Sequence, residues 1–87
     1  MAFFVYILYS KSKDVYYKGF SENPQKRLIE HLEGKSRYTS QTNDWELVFI
    51  RSFKSKTEAL KYEKMLKRQN QNYLKWLIEG DLNELLK

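Results

Sequence analysis

The stretch FFVYILYSKSKDVYYKGF, residues 3 to 20, carries the strongest structural signal in the chain. Phe3 to Tyr9 is apolar at odd and even positions alike, which predicts a β-strand covered on both faces. Residues 11 to 14 form a polar connector, and Val15 to Phe20 has the composition of a second strand. The stretch therefore predicts an antiparallel hairpin.

Beyond the hairpin, the pattern changes to that of a helix. Asn23-Pro24 is typical of a helix start, because Asn caps the free N–H groups and Pro fits the first helical position. Gly34 predicts the end of this helix. Residues 35 to 44 are polar and predict irregular structure or one short helix, and Trp45 to Phe53 predicts a third strand.

The last third of the chain predicts two helices and a short terminal turn. Ser55-Lys56-Thr57-Glu58 is a capping box that opens the first helix, and the second is expected from about Asn72 to Gly80. Asp81 and Glu84 form a second capping box for a last turn. The predicted fold is α/β (α+β), a small three-stranded antiparallel sheet flanked by helices in the order β-β-α-(α)-β-α-α. We expect one domain over residues 1–87, with a core at 3–78 and a short C-terminal helix at 81–86; the strand order is not predicted.

Composition and charge narrow the classes of function. Sixteen Lys and Arg against eleven Asp and Glu give a net charge of +5, and 16% of the residues are aromatic. This balance favours an anionic partner, of which nucleic acid is the commonest, although a basic solvated surface would give the same numbers. There is no cysteine to form a disulfide, and the apolar run of seven residues at Phe3 to Tyr9 is too short to span a bilayer. We expect a cytoplasmic protein that does not associate with membranes.

A carboxylate occupies an unexpected position in TEALKYEKMLKR, residues 57 to 68. At helical spacing, Glu63 falls on the stripe that should face the core. The other members of that stripe are Ala59, Leu60, Tyr62 and Leu66. An ionised carboxylate is buried only when a cation, a metal or hydrogen-bond donors meet it. The alternative is a partly exposed Glu63 that pairs with Lys67 one turn away.

The helix that begins at Pro24 has a second unusual pair. Leu28, Ile29 and Leu32 define its apolar side, and Arg27 and His31 lie one above the other on the border. Arg offers a fixed fork of donors that matches phosphate oxygens, and neutral His can accept or relay a proton near pH 7. The alternative is that both side chains merely extend over the edge of the sheet.

Tyrosines and one glycine mark the predicted hairpin. Tyr6, Tyr16 and Tyr17 are ordinary packing residues for strands, with their hydroxyl groups at the rim. Gly19 within a strand indicates a bulge or a close approach of another group to the backbone.

The order of these residues resembles the GIY-YIG nuclease superfamily, most closely its small stand-alone bacterial members related to the catalytic domain of the excision-repair nuclease. The two signature triplets are represented by Val5-Tyr6-Ile7 and Tyr17-Lys18-Gly19. The family's arginine, its histidine or tyrosine, and its metal-binding glutamate are matched by Arg27, His31 and Glu63. The segment HLEGKSRYTSQ, residues 31 to 41, is similar to a further family segment that ends in a Tyr-Thr pair, here Tyr38 and Thr39.

Three positions depart from the family pattern. Val5 replaces a glycine, Lys18 replaces an isoleucine, and Phe20 stands where several members carry a lysine. The resemblance extends from residue 4 to about residue 78. An asparagine that follows the glutamate in many members is matched by either Asn70 or Asn72.

The resemblance implies a metal-dependent endonuclease that hydrolyses DNA without a covalent intermediate. Glu63 would hold one Mg²⁺ (or Mn²⁺), and Arg27 would neutralise charge on the phosphate. Tyr6 or His31 would take the proton from the attacking water, and Tyr17 would orient water or phosphate. A tyrosine base must first be acidified from its usual pKa of about 10.

DNA is the partner implied by the resemblance and by the basic charge. We expect contacts mainly with phosphates and weak sequence preference. The residues expected to bind DNA are Lys18, Lys35, Arg37, Tyr38, Lys67 and Asn70. The alternative function is a module with the same fold that binds nucleic acid without cutting it. The oligomeric state is open, because Leu82, Leu85 and Leu86 are suited either to cover the core or to form a dimer contact.

Overall fold

The residues described by the computed structural model, 2–35 and 39–87, form one antiparallel sheet of three strands. Strand β1 (Phe3–Ser10) lies in the centre, with β2 (Val15–Ser21) on one side and β3 (Trp45–Phe53) on the other. The central place of β1 explains its apolar sequence, because a strand covered on both faces has no side facing water. The predicted hairpin is therefore confirmed, and the strand order is β2-β1-β3.

Helices cover both faces of the sheet, which confirms the predicted α+β class. The described elements are α1 (Pro24–Leu32), a 3-10 helix (Thr39–Gln41), α2 (Lys56–Leu66), α3 (Gln71–Ile78) and a second 3-10 helix (Glu84–Leu86). The N-caps are as expected at α1 and α2. Asn23 accepts a hydrogen bond from the N–H of Lys26, and Ser55 accepts one from the N–H of Glu58. No helix in the described part of the chain has the length and apolarity needed to cross a bilayer.

The two faces of β1 belong to separate apolar clusters. Val5 and Ile7 pack with residues from α2 and α3, and we call this side the α2 face. Tyr6 and Leu8 point to the opposite side, where Leu28 of α1 packs, and we call it the α1 face. A tyrosine of the first signature triplet is thus placed inside the core.

The orientation of α1 differs from the prediction. Ile29 was expected to face the core but is 57% exposed, and Leu32 is exposed as well. His31, expected on the border, is only 1% exposed. Hydrogen bonds to Tyr6 and Thr39 make the burial of His31 possible. The helix therefore turns its histidine inward and leaves Ile29 and Leu32 at the surface. Leu60 of α2 was also expected in the core, and it too is exposed.

The C-terminal segment is held by a cap that the sequence did not predict. Asn83, not Asp81, caps the last 3-10 helix, and its buried side chain donates to the carbonyl oxygens of Val48 and Ile78, each at 2.8 Å. Its Oδ1 accepts from the N–H of Ile50. Glu84, instead of completing a capping box, accepts from the N–H and Oγ of Ser52. These bonds cover the outer edge of β3.

The terminal leucines do not fill the core. The three side chains concerned are all exposed: Leu82, Leu85 and Leu86. Of the two alternatives for these leucines, covering the core or forming a dimer contact, the first is not observed, and the segment is attached through polar bonds to β3.

Replacing Asn83 by Ala should lower the free energy of unfolding by about 2 kcal/mol, because it leaves a buried N–H and two carbonyl groups without partners. Urea denaturation followed by circular dichroism measures this change. Asn72→Ala is the matched control, since Asn72 is exposed on α3. Equal stability of the two variants would show that the Asn83 bonds do not hold the segment.

Candidate active site

Tyr6 reaches the edge of the sheet because Gly19 leaves room for its ring. The two residues are paired across β1 and β2 in an unbroken register. A Cβ atom at Gly19 would lie 2.5 Å from both Cζ and Oη of Tyr6. The sequence indicated either a bulge at Gly19 or a close approach of another group to its backbone. The structure shows the close approach, by the Tyr6 ring, and no bulge. The missing side chain creates the space in which the phenol lies.

The Tyr6 hydroxyl belongs to a buried chain of hydrogen bonds. Its Oη lies 3.1 Å from Nε2 of His31, and Nδ1 of His31 lies 2.7 Å from Oγ1 of Thr39. The Arg27 guanidinium lies close enough to the Tyr6 hydroxyl to act on the pKa of the phenol. Arg27 can only donate to the Tyr6 hydroxyl; in the His31 tautomer that carries its proton on Nδ1, Tyr6 donates its own proton to Nε2. The histidine is then neutral, with the proton on Nδ1 donated to Thr39.

Burial keeps both central groups uncharged. It raises the pKa of Tyr6 to about 12, and the hydrogen bond from Arg27 acts in the opposite direction. Burial also lowers the pKa of His31, and the charge of Arg27 lowers it further. At neutral pH the pair therefore consists of a protonated phenol beside an imidazole that can accept its proton.

Tyr17 and Arg27 form the solvent-facing part of this cluster. The ring of Tyr17 is half-buried, with its centre 4.6 Å from that of His31 and 6.2 Å from that of Tyr6. The side chain of Arg27 is 42% exposed and forms an ion pair with Glu30 at 2.8 Å. A phosphate approaching from solvent would meet these two groups before the buried pair.

Glu63 approaches from α2, which packs on the α2 face of the sheet. Its side chain is 17% exposed and lies 3.7 Å from Nζ of Lys67. The largely inward position and the pairing with Lys67, weighed as alternatives from the sequence, thus occur together. The Glu63 charge is close enough to the phenol of Tyr6 to raise its pKa, as the smallest of five influences.

The donor set limits how a metal ion would be held. In residues 2–35 and 39–87 there is no group of three or more His, Cys, Asp or Glu side chains that could hold an ion. Mg²⁺ needs only one or two protein carboxylates when waters and phosphate oxygens complete its shell. Glu63 fits that pattern as a single carboxylate, and Lys67 would have to move from it.

The residues expected to bind DNA are scattered. Lys18 and Lys67 line one open depression of about 340 Å³ together with Tyr16 and Tyr17. Lys35, by contrast, is exposed and pairs with Glu33 at 3.4 Å.

Two further expectations concern other parts of the chain. Asn70 accepts from the N–H of Tyr73 and caps α3, a structural task that Asn72 does not share. Arg37 and Tyr38 lie outside the described residues.

Thr39 is a member of the site that reasoning from the sequence did not assign. It is buried, bonds to Nδ1 of His31, and accepts from Nε1 of Trp45 through its carbonyl oxygen at 2.8 Å. The only feature of the sequence that pointed to Thr39 was its place in the Tyr-Thr pair of the family segment. Nothing local in the sequence indicates that its hydroxyl would meet a histidine on α1.

The buried His31 predicts a specific dependence of stability on pH. Folding lowers its pKa below the value of about 6.5 in the unfolded chain, so the unfolded state binds more protons below that pH. The free energy of unfolding should therefore decrease as the pH falls through about 6.5, by at most about 1.4 kcal/mol per pH unit. Chemical denaturation between pH 7.5 and 5 measures the slope.

His31→Gln is the control, because Gln cannot titrate. Asp44 does not interfere: hydrogen bonds from Ser10, Thr42 and Ser12 lower the pKa of this carboxyl, so its contribution is lost only as the pH falls below about 4. A slope that His31→Gln leaves unchanged would contradict the assignment.

Comparison with known proteins identifies the family of the chain. The family model for the GIY-YIG catalytic domain matches residues 2–75. The chain is 34% identical over 79 residues to a UPF0213 protein of Staphylococcus saprophyticus, covering 88% of this chain and 95% of that protein. It is 38% identical over 69 residues to a structure-specific endonuclease subunit, the SLX1 homologue of Drosophila mojavensis, covering 68% of this chain and 23% of that protein.

A solved structure shows the same fold. The solution NMR structure of a UPF0213 protein from Bacillus halodurans superimposes with a TM-score of 0.60 at 28% identity, over 98% of this chain and 90% of that one. The sheet and these matches place the chain in a family of nuclease domains. The chain belongs to the GIY-YIG family, which confirms the resemblance seen in its sequence.

Proposed function

We propose that the protein is a divalent-metal-dependent endonuclease that hydrolyses phosphodiester bonds of DNA in DNA repair or processing in the cytoplasm. The observation that carries this proposal is the buried hydrogen-bond chain of Tyr6, His31 and Thr39, with the partly exposed Arg27 beside the Tyr6 hydroxyl. A small domain gains little stability from burying a polar cluster where apolar side chains would pack, so such a cluster indicates function.

Arg27 would bind the scissile phosphate. Its guanidinium is partly open to solvent and is held in place by its bonds to Tyr6 and Glu30. A fixed fork of donors can neutralise charge that develops on the phosphoryl oxygens without reorganising during the reaction.

The buried pair would take up the proton of the attacking water. Since neither Tyr6 nor His31 is open to bulk solvent, the water would be held beside Tyr17 at the solvent-facing side. The water would give its proton to Oη of Tyr6 while Tyr6 passes its own proton to Nε2 of His31. This path uses Tyr6 without a free phenolate, which suits a phenol whose pKa is raised to about 12.

Glu63 would hold the divalent cation, preferably Mg²⁺. When bound, the ion would supply positive charge to the phosphate and to the departing oxygen. The role of Glu63 is to offer one largely buried carboxylate, and that of Lys67 is to neutralise this carboxylate until DNA arrives. We propose that contacts with phosphates dominate the affinity for DNA, so binding should weaken steeply with salt.

Nicking of supercoiled plasmid tests the proposal. The purified chain should convert supercoiled plasmid to open circles in Mg²⁺ or Mn²⁺ and should not do so in EDTA. Plasmid that stays supercoiled at all cation concentrations would contradict the nuclease assignment.

A second candidate, a module that binds nucleic acid without cutting it, is favoured by one observation. Glu63 is already paired with Lys67, so a cation must compete with a lysine for the carboxylate. A band shift of plasmid with no nicking in either cation would support this second function.

A further inference from the structure

A groove follows the edge strand β2 on the α2 face of the sheet. It consists of three adjoining depressions that share Tyr16, and we call it the β2 groove. The polar side chains that line it include Tyr16, Lys18, Lys67, Gln69, Gln71 and Lys75. Its widest part, about 340 Å³, lies between Tyr17 and Lys67. Each of the three depressions is open to solvent, and a chain-like ligand that passes Tyr16 can enter more than one of them.

The charges of the β2 groove favour an anion. Lys18 is half-buried, and burial together with the charge of Lys67 lowers its pKa. Among the described residues, no carboxylate lies within 4 Å of its amino group, whereas Lys67 shares Glu63. Two ammonium groups close to each other are stabilised when an anion lies between them, and a backbone phosphate is such an anion. Among the described residues that line the groove, Glu79 at the far end is the one acidic side chain.

The aromatic rings of the groove favour unpaired bases. Tyr16 lies at the junction of the three depressions, and its ring packs against that of Tyr9 at 4.7 Å. Tyr17 lines the widest part. A tyrosine ring can stack on a base only when the base has left its duplex, since paired bases are stacked on each other. Lysines alone would suit a duplex, but lysines interleaved with tyrosines suit a single strand.

The β2 groove leads directly to the candidate active site. Tyr17 lines the groove and also contacts the rings of His31 and Tyr6. Lys67 lines the groove and also pairs with Glu63. A strand lying along β2 would therefore present a phosphate beside Tyr17 and the ion pair of Glu63 with Lys67.

We infer that the β2 groove binds an unpaired DNA strand, with phosphates at Lys18, Lys67 and Lys75 and a base stacked on Tyr16. This inference rests on the proposed nuclease function and names its substrate class: DNA that contains a single-stranded segment. Duplex DNA binds only through its phosphates and more weakly.

Fluorescence anisotropy in EDTA tests the inference without any cutting. A labelled oligothymidylate should bind more tightly than a duplex of equal length. Tyr16→Leu should weaken single-strand binding about fivefold to a hundredfold and leave duplex binding unchanged, because only the single strand loses a stacked base. Tyr16→Phe keeps the ring and should bind like the wild type.

The lysines provide a second set of variants. Lys75→Gln in the groove should weaken single-strand binding and reduce its salt slope by about one. Lys61→Gln is the matched control, because Lys61 is an exposed lysine that lines a different depression, beside Arg51 and Tyr62. If circular dichroism shows that Tyr16→Leu is unfolded, Lys75→Gln decides: weaker binding supports the inference, and unchanged binding overturns it.

Three results would overturn the inference: equal affinity for single strand and duplex, a folded Tyr16→Leu that binds like the wild type, or a preference for oligouridylate over oligothymidylate. Its failure is distinguishable from that of the nuclease proposal. A chain that nicks plasmid but binds both DNA forms equally refutes only the groove. A chain that prefers single strands but cuts nothing refutes only the nuclease.

Discussion

Replacing Glu63 by Gln should lower the rate of plasmid nicking about a hundredfold or more, because the amide loses the negative charge that holds the cation. The fold should survive, since the lost ion pair with Lys67 is partly exposed and contributes under about 1 kcal/mol. Binding of DNA measured in EDTA should stay the same or tighten slightly, because a negative charge beside the phosphate path is removed. The expected variant is folded and binds DNA but does not cut it.

The matched control is Glu46→Gln, which removes the charge of an exposed carboxylate on β3. It should nick plasmid at the wild-type rate. Rates are measured at several Mg²⁺ concentrations, so that weaker metal binding is separated from slower chemistry. Nicking by Glu63→Gln at the wild-type rate would mean that the activity belongs to a contaminant or to a different site.

The sequence predicted the individual strands and helices better than the contacts between them. The strand β1 and the helix caps follow from patterns within a few residues. The same is true of the largely buried position of Glu63. His31 was placed on the border of α1 because its partners are distant: Tyr6 is 25 residues earlier and Thr39 eight residues later. A helical pattern scores a histidine as polar and cannot include the hydrogen bonds that permit its burial.

In the C-terminal segment, a local pattern predicted a contact that does not form. Asp81 and Glu84 have the spacing of a capping box, and nothing in that spacing shows that Glu84 has another use. The backbone of β3 offers it the N–H of Ser52, and Asn83 then becomes the cap. The strand order could not be predicted for the same reason. The alternation of residues along a strand does not show which strand lies beside it.

Replacing Gly19 by Ala should both destabilise the protein and stop nicking. The new methyl group would lie 2.5 Å from Cζ and Oη of Tyr6, a distance at which one of the two must move. Tyr6 is fully buried, so its ring cannot swing into solvent. Overpacking of this kind, together with weakened bonds to His31 and Arg27, should cost about 3 kcal/mol or more. Displacing the phenol by about 1 Å should reduce nicking about a hundredfold.

Gly80→Ala is the matched glycine control. A Cβ at Gly80 meets its nearest atoms, the carbonyl oxygens of Leu77 and Trp76, at an ordinary 3.5 Å. It should change the free energy of unfolding by less than about 1 kcal/mol and leave nicking unaffected.

A double-mutant cycle with Tyr6→Leu shows whether the ring itself is the cause. Leucine lacks all three tyrosine atoms that crowd a Cβ at Gly19, namely Cζ, Oη and Cε1. In the Tyr6→Leu background, Gly19→Ala should therefore cost less than about 1 kcal/mol, or even stabilise the strand, since alanine restricts the unfolded chain. Urea denaturation of the four proteins gives the coupling energy. A cost of Gly19→Ala that is the same in both backgrounds would place the strain in the backbone of β2, and Gly19 would then have no part in positioning the catalytic phenol.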